Sequence, residues 1–309
     1  MVAQPQVPGV EVAGGDKANT EAQYRSAITH YTRAIESGGL SAGELAGVHV
    51  KRGRAYFDEF ELDSRNDADL IASLKDFTEA HAMAPDLADA LIGEGDAYQA
   101  LGAYAEALTA FEAGYAVDRP QPLSSLLGIG ATYRIMGDYA NAMRYYDRAL
   151  QIWGNTTMQI FYHRALAFYA NGKYREAVDS LTRAIPRQRD YALAYVYRAC
   201  ALARLHEFKL ALADYDDAIK FWKEDAAHYG HTGTYRKLMD RFVAERAAVA
   251  DMSKGVKSPI TESSLCEAFP SSDKKRPRSR LLPRDGQMQQ LPQLHILPLP
   301  EFTPSGPSI

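Results

Sequence analysis

One aromatic position recurs along this chain at an almost constant interval. Tyr104, Tyr139 and Tyr174 are spaced 35 residues apart, and Phe208 follows 34 residues after the last of them. A fixed period of this length is the signature of a repeat architecture, in which each unit buries its apolar face only against its neighbours. The period therefore predicts a solenoid of stacked units rather than a globular domain with one central core.

Each unit has the pattern of two helices joined by a short turn. Small residues recur in the first helix at the point where it must approach the second: Gly95, Gly130, Ala165 and Ala199. A larger side chain at these positions would push the helices apart. Over roughly residues 21–220 this pattern resembles the tetratricopeptide repeat family. The resemblance implies an all-α, right-handed helical-hairpin solenoid, a tetratricopeptide superhelix.

The repeat pattern divides the chain into three parts. Residues 1–20 are predicted to be a disordered N-terminus, because Pro8 to Asp16 lacks the pattern of a normal first helix. The solenoid is predicted over 21–252, and residues 253–309 are predicted to be a disordered Pro-rich tail. Within the solenoid we expect a half unit at 21–37, full units at about 46–87, 88–121, 123–156, 158–191 and 192–225, and a capping helix at about 234–252.

The unit at 46–87 contains about eight extra residues within Asp58–Asp69. This insert is acidic, but it lacks the spacing, the central glycine and the closing glutamate of a calcium-binding loop. We therefore expect a hydrated loop without a bound ion.

The predicted tail is rich in proline. Nine of the 15 prolines lie between Pro259 and Pro307, without helical periodicity. Such a segment buries too little apolar surface to offset its chain entropy. Lys274–Arg280 is a basic cluster, either a solvated charge run or a targeting or anion-binding element. Leu291–Leu299 is apolar and extended, a form that grooves of repeat proteins bind, or a tail without a role.

Charge and hydropathy limit the classes of partner. The formal net charge is −4, and the acidic excess lies in the solenoid, so nucleic-acid binding, which needs a basic surface, is not expected. No apolar run approaches the roughly 18 residues that a membrane helix needs, and the N-terminus lacks the pattern of a secretory signal. We expect a cytoplasmic protein without a membrane partner.

No catalytic constellation stands out, and we expect neither enzyme activity, nor a metal, nor a cofactor. The histidines are scattered, and the GxG pairs fall inside predicted helices instead of after a strand. Two cysteines, Cys200 and Cys266, cannot make a disulfide framework or a zinc site of the CxxC kind. Cys200 is interpreted as a small buried hydrophobic side chain.

One polar pattern recurs in the first and last full units. Arg52 and Arg198 occupy the same place in the first helix, and Asp76 and Asp214 occupy the same place in the second. Arg164 shares the arginine position, but its unit has Ser180 at the aspartate position, with Asp179 adjacent. An arginine–aspartate bridge between the helices would satisfy both charges and fix their register. The pattern therefore predicts a structural role.

The tetratricopeptide resemblance implies that the first helices line a concave groove that binds peptides. Residues spaced 3, 4 and 3 apart on these helices form one stripe, which changes along the chain from mixed charge to aromatic to apolar. Six residues of the stripe are predicted to bind the partner: Arg54, Asp96, Gln99, Arg134, Tyr162 and Tyr169. Chaperone adaptors of the family hold a C-terminal carboxylate with Lys, Asn and Arg in this groove. Here those positions carry other residues, so carboxylate-clamp chaperone tails are not expected as ligands.

The sequence therefore predicts a non-catalytic scaffold or adaptor that binds a protein or peptide ligand in its groove. The alternative is a regulatory subunit whose groove is occupied by its own C-terminal tail until a partner displaces it. Neither hypothesis names the partner.

Overall fold

The computed structural model describes residues 8–20, 23–61, 66–118, 122–229, 233–261 and 264–266. Within these ranges the chain forms thirteen α-helices and no strand. The helices are α1 (Pro8–Thr20), α2 (Tyr24–Ser37), α3 (Ala42–Glu59), α4 (Asp67–Met83), α5 (Ala88–Ala100), α6 (Tyr104–Val117), α7 (Leu123–Met136), α8 (Tyr139–Trp153), α9 (Met158–Ala170), α10 (Tyr174–Ala184), α11 (Ala192–Arg204), α12 (Phe208–Tyr229) and α13 (Gly233–Ser253). None of the helices in these ranges is both long and apolar enough to span a bilayer.

Each helix packs against the next, and the most extensive contacts lie within the hairpins α1–α2, α3–α4, α5–α6, α7–α8, α9–α10 and α11–α12. The odd-numbered helices α3, α5, α7, α9 and α11 also touch one another in succession. This second set of contacts places them side by side on the inner face of the solenoid. We call the surface that these five helices line the concave face. The predicted helical-hairpin solenoid is confirmed.

A buried aromatic side chain from a second helix presses against glycines of the first helices. Phe111 of α6 is fully buried between α5 and α7. A Cβ atom on Gly95 would come 2.6 Å from its ring, and one on Gly128 would overlap it. Tyr146 of α8 lies against Gly130 in the same way. Glycine therefore sets the distance between the helices, as the sequence predicts for Gly95 and Gly130.

The predicted disorder of residues 1–20 is wrong for the part that the structure describes. Pro8–Thr20 forms α1, which packs on α2. Gly15 of α1 lies against the ring of Tyr31, which is 1% exposed, and the Tyr31 hydroxyl donates to Asp16 Oδ1 at 2.8 Å. The helices α1 and α2 thus form a hairpin of the same build as the later ones, and not a half unit.

The two ends of the acidic insert that the structure describes, residues 58–61 and 66–69, are not the hydrated loop that its composition predicts. The helix α3 runs to Glu59 and α4 begins at Asp67. Glu59 and Asp69 are both buried, and both accept hydrogen bonds from Arg25 of α2, at 2.6 and 2.9 Å. Phe60 is 1% exposed. Because a cation from the neighbouring hairpin pairs with these carboxylates, they are held inside the protein instead of in water.

The predicted arginine–aspartate bridges are confirmed. Arg52 donates to both carboxylate oxygens of Asp76, at 2.8 and 2.6 Å. Arg198 donates to both oxygens of Asp214, each at 2.7 Å. Burial raises the pKa of Asp214, although the Arg198 guanidinium acts in the opposite direction. Each pair joins the two helices of its own hairpin and therefore fixes their register.

The region after α12 departs furthest from prediction. The helix α13 packs against α12 as a cap, with Phe242 and Val249 fully buried. Beyond it, Leu265 is fully buried and Cys266 is 8% exposed, so the part of the predicted tail that the structure describes packs against the solenoid. Residues 267–309, with the basic cluster and the apolar segment, lie outside the described residues.

The two cysteines form one disulfide bond. Cys200 of α11 and Cys266 are 66 residues apart in sequence, with their Cα atoms 6.2 Å apart. Cys200 is buried as expected, but its interpretation as an isolated apolar side chain is wrong. A pair of cysteines this distant in sequence gives no indication of bonding until the fold brings them together.

Candidate binding groove on the concave face

The N-terminal part of the concave face is charged. Arg54 of α3 pairs with Asp96 of α5, with Nη1 2.9 Å from Oδ2. The same guanidinium lies 5.7 Å from the ring centroids of Phe57 and Phe77. Burial, together with the nearby Asp96 carboxylate, raises the pKa of Asp58 to about 6 against the effect of Arg54. The structure thus joins two of the predicted binding residues, Arg54 and Asp96, in one ion pair between neighbouring first helices.

The two predicted residues in the middle of the groove differ in accessibility. Gln99 of α5 is half-buried, and its Nε2 donates to Thr132 Oγ1 of α7 at 2.7 Å. Arg134 of α7 is only 5% exposed. Arg134 therefore offers a ligand little surface, and its role in partner binding stays a prediction that its position does not favour.

The C-terminal part of the concave face is a wall of tyrosines. Tyr162 meets Tyr191 and Tyr197 edge-to-face, with ring centroids 5.2 and 5.9 Å apart. Tyr169 meets Tyr174 and Tyr197 in the same way, at 5.4 and 6.2 Å. Burial raises the pKa of Tyr169 to about 12, so its hydroxyl keeps its proton at neutral pH and can donate. Edge-to-face packing holds these rings in place, which makes the wall a rigid surface.

Residues Ser264–Cys266, which we call the docked segment, lie across this end of the concave face. Leu265 is fully buried, and the disulfide bond ties Cys266 to α11. The hydrogen bonds from the groove to the segment use its main-chain atoms: the Tyr169 hydroxyl donates to the Leu265 carbonyl at 3.0 Å, Arg241 Nη2 donates to the Ser264 carbonyl at 2.9 Å, and the Cys266 N–H donates to Glu245 Oε1 at 3.1 Å. Tyr169 of α9 and two side chains of α13, Arg241 and Glu245, thus hold the docked segment by its backbone.

Glu245 of α13 is the centre of a buried polar network below the docked segment. It accepts from the Tyr215 hydroxyl at 2.9 Å and from Arg241 Nε at 2.7 Å. Burial raises the pKa of Glu245, although these donors act to lower it. Glu245 and Arg241 are not among the predicted site residues, because they lie on α13, outside the repeat pattern. The spacing in the sequence is the signal that could have identified Glu245. It follows Phe242 by three residues and precedes Val249 by four, so it lies on the buried stripe of the helix. A buried carboxylate needs a hydrogen-bond or charge partner.

Two groups of side chains in the described part of the chain have ligand atoms close enough to share a metal ion: His49 with Asp76 and Glu79, and Cys200 with Glu245 and Cys266. In the first group, Arg52 already binds both oxygens of Asp76. In the second group, the two sulfur atoms are bonded to each other. The expectation that the protein uses no metal stays a prediction.

Comparison with known families gives two matches. Two models, both described as tetratricopeptide repeat, match residues 121–190 and 162–226. Among curated proteins, the chain is similar to serine/threonine-protein phosphatase 5 of Homo sapiens, with 30% identity over 112 residues, which are 36% of this chain and 22% of that protein. The chain thus spans about a fifth of the length of this relative.

Solved structures share the fold. A thermophilic tetratricopeptide-repeat protein of Thermus thermophilus matches with a TM-score of 0.54 and 17% identity, over 63% of this chain and 99% of that one. PilW, described as a widely conserved type IV pilus biogenesis factor, matches with a TM-score of 0.52 and 16% identity, over 76% of this chain and 100% of that one. A tetratricopeptide repeat protein from Parabacteroides merdae matches with a TM-score of 0.50 and 16% identity, over 82% of this chain and 94% of that one. At these identities the likeness shows the fold alone.

Proposed function

We propose that this chain, whose residues 121–226 match tetratricopeptide repeat models, is a non-catalytic scaffold or adaptor whose concave face holds a segment of another polypeptide. The net charge of −4 supports a protein ligand in preference to a nucleic acid or an anionic membrane surface. We place this activity in the cytoplasm, as part of the same proposal.

The observation that supports the proposal most directly is the docked segment. It lies against Tyr169, one of the residues predicted to bind the partner, and Tyr169, Arg241 and Glu245 bind its carbonyl and N–H groups. These groups are common to all polypeptides, so the same side chains can hold a segment of different sequence. The fully buried side chain of Leu265 occupies an apolar site, which sets a preference for an aliphatic residue at that point.

The groove suits an apolar segment better than a charged chain end. The positions that would carry a carboxylate clamp hold mostly apolar or aromatic residues, and the one cation among them, Arg54, is already paired with Asp96. These positions are Val50, Ile92, Leu127, Tyr162 and Val196, or Arg54, Asp96 and Ala131. A carboxylate placed against such side chains would lose its hydration without gaining a counter-charge. We therefore expect ligands that present an internal aliphatic or aromatic stretch, and not chaperone tails.

The proposal is tested by comparing the variant with Tyr162→Ala and Tyr169→Ala against the wild-type chain and against Leu210→Ala. Leu210 is 54% exposed on α12, away from the groove helices, so it is a matched control for loss of an apolar side chain. Affinity purification from the native cells should recover a set of proteins with the wild type and the control, and at least tenfold less of that set with the double variant. Circular dichroism should show equal helicity in all three. Equal recovery would refute binding in the groove.

The docked segment also favours a second candidate function, that of a regulatory subunit whose own C-terminal residues compete with the partner. Removal of all residues after Ser253 would then expose Tyr169 and Glu245 to a ligand and raise the partner affinity. If the truncated chain binds its partner with unchanged affinity, competition by the chain's own segment is refuted while the scaffold function stands.

A further inference from the structure

We propose that the C-terminal end of the concave face is gated by the oxidation state of Cys200 and Cys266. With the disulfide bond formed, the docked segment fills the site. With both cysteines reduced, the segment leaves and the site takes an extended polypeptide that carries an aliphatic side chain where Leu265 lies. This inference rests on the proposed function, since it concerns the same groove.

The part of the connection between α13 and the disulfide that the structure describes before the docked segment, residues 254–261, buries little surface. From Lys254 to Thr261 the chain is mostly exposed, and Ile260 is partly buried against the core of the last units. Beyond that point Leu265 and Cys266 provide the burial in the described segment. Ordering a run of residues has a large entropic cost, which these contacts offset only in part. The covalent bond therefore has a direct role in keeping the segment in place.

The backbone of Cys266 supports the same conclusion. Its φ is 60°, in the left-handed region that residues other than glycine seldom adopt. The seated conformation is thus not the one that a free chain prefers at this residue. Once the bond to Cys200 is broken, relaxation of this backbone favours departure of the segment.

The chemistry of opening requires a dithiol reductant, such as a thioredoxin-like protein or dithiothreitol. Its thiolate attacks the sulfur of Cys266, which is 8% exposed whereas Cys200 is fully buried, and Cys200 leaves as a thiolate. The second thiol of the reductant then displaces Cys266. Two electrons and two protons pass from the dithiol to the protein, which ends with two thiols while the reductant ends as a disulfide.

The surroundings of Cys200 suit it as the leaving group. The Tyr215 hydroxyl lies 3.3 Å from Cys200 Sγ and can donate to the thiolate as it forms, by turning its one proton away from Glu245, to which it otherwise donates at 2.9 Å. Glu245 Oε2 lies 3.9 Å from the same sulfur and accepts from the thiol once it is protonated. The reduced cysteine is therefore satisfied within the protein after the segment has left.

The vacated site would select a polypeptide through three groups that each lose one hydrogen bond when the segment leaves. Glu245 loses the Cys266 N–H, while the donors of Tyr169 and Arg241 lose two consecutive carbonyls. A polar group that lacks a hydrogen bond in such a site is unfavourable. A ligand backbone that supplies one N–H and two carbonyls in the same order restores all three hydrogen bonds.

The test uses the full chain and a fluorescent synthetic peptide with the sequence of residues 258–267 carrying Cys266→Ser, so that binding is not covalent. Fluorescence anisotropy should show at least tenfold tighter binding to the chain reduced with dithiothreitol than to the oxidised chain. Thiol titration should find no free thiol before reduction and two after it. The same peptide with Leu265→Asp should not bind in either state.

Two variants of the chain serve as controls for the reductant itself. Cys266→Ser and Cys200→Ser cannot form the bond, so each should bind the peptide equally with and without dithiothreitol, provided that circular dichroism shows an intact fold. The Cys266→Ser variant changes the less buried cysteine and covers the case in which Cys200→Ser does not fold. Equal binding to the oxidised and the reduced wild type would overturn the gate but leave the groove as a binding site. No binding to any form would overturn the gate as well, and the proposed function would then depend on the tyrosine variants described above.

Discussion

The two ends of the concave face are built from the same helical unit but carry opposite chemistry. At the N-terminal end, Arg54 and Asp96 pair across neighbouring helices and the surface is charged. At the C-terminal end, tyrosines form a rigid wall and the chain's own residues lie against it. Gly95 and Gly130, with the aromatic residues Phe111 and Tyr146 that set the helix spacing against them, are buried. Groove chemistry can therefore vary from unit to unit without disturbing the stacking.

The largest effects are expected at the buried ion pairs that both ends share. Arg52→Met and Arg198→Met each leave a buried aspartate without its cation, and each should lower the free energy of unfolding by about 3–5 kcal/mol. Adding Asp214→Leu to Arg198→Met should restore most of the loss, because no unpaired charge remains. Urea unfolding followed by circular dichroism measures both. If each single variant lowers the free energy of unfolding by less than about 1 kcal/mol, these ion pairs do not stabilise the hairpins.

The next effect tests whether the solenoid really begins at α1. Gly15→Ala places a Cβ atom on the ring of Tyr31, and we expect a loss of about 1–3 kcal/mol from overpacking. Gly9→Ala, in the same helix with nothing within 4 Å, should leave stability unchanged or raise it by less than about 1 kcal/mol. Thermal unfolding distinguishes the two. Equal behaviour of both variants would mean that α1 is not packed as described.

A smaller, pH-dependent effect on stability is expected from Asp58 at the charged end. The folded pKa of Asp58, about 6, lies above its ordinary value. Its contribution to stability is therefore fully present below about pH 4 and is lost as the pH rises through about 6. Asp58→Asn should then be more stable than the wild type at pH 7, by on the order of 1 kcal/mol, and the difference should vanish near pH 4.

The control for that measurement is Glu36→Gln, at an exposed position of α2. Its unfolding should differ little from that of the wild type at either pH. A stability difference for Asp58→Asn that stays constant from pH 4 to pH 7 would contradict the raised pKa.

The smallest effect on stability is expected at the turn between α11 and α12, the two helices of the last hairpin. Gly102, Gly137 and Gly172 have positive φ at this turn in three earlier hairpins, whereas His206, at φ 58°, takes the same place before α12. His206→Gly should raise the unfolding free energy by up to about 1 kcal/mol, because glycine adopts this conformation without steric cost. A lower unfolding free energy for His206→Gly would indicate that the edge-to-face contact of His206 with Phe208 stabilises the fold by more than the strained backbone destabilises it.

Features repeated within a unit could be predicted from the sequence, because a fixed spacing shows them several times. The close-approach glycines and the Arg–Asp bridges belong to this class. The α1 helix was missed because its apolar pattern is weak, although Gly15 precedes Tyr31 by 16 residues, the separation of Gly95 from Phe111. That spacing is the signal that would have found it.

Features that occur only once in the chain cannot be predicted from its repeat period. The disulfide bond joins residues 66 positions apart, and only the stacking of the last units brings them together. Glu245 and Arg241 belong to α13, outside the repeat register, so the groove positions that locate Tyr162 and Tyr169 do not reach them. The candidate site was therefore predicted on its α9 side and missed on its α13 side.

The seating of the docked segment is tested most directly by amide hydrogen exchange at Cys266 in the oxidised full-length chain. Its N–H donates to the buried carboxylate of Glu245 at 3.1 Å, so it should exchange at least tenfold more slowly than in the synthetic peptide of residues 258–267. Reduction with dithiothreitol should abolish this protection. Exchange at the peptide's rate before reduction would contradict occupation of the groove by this segment.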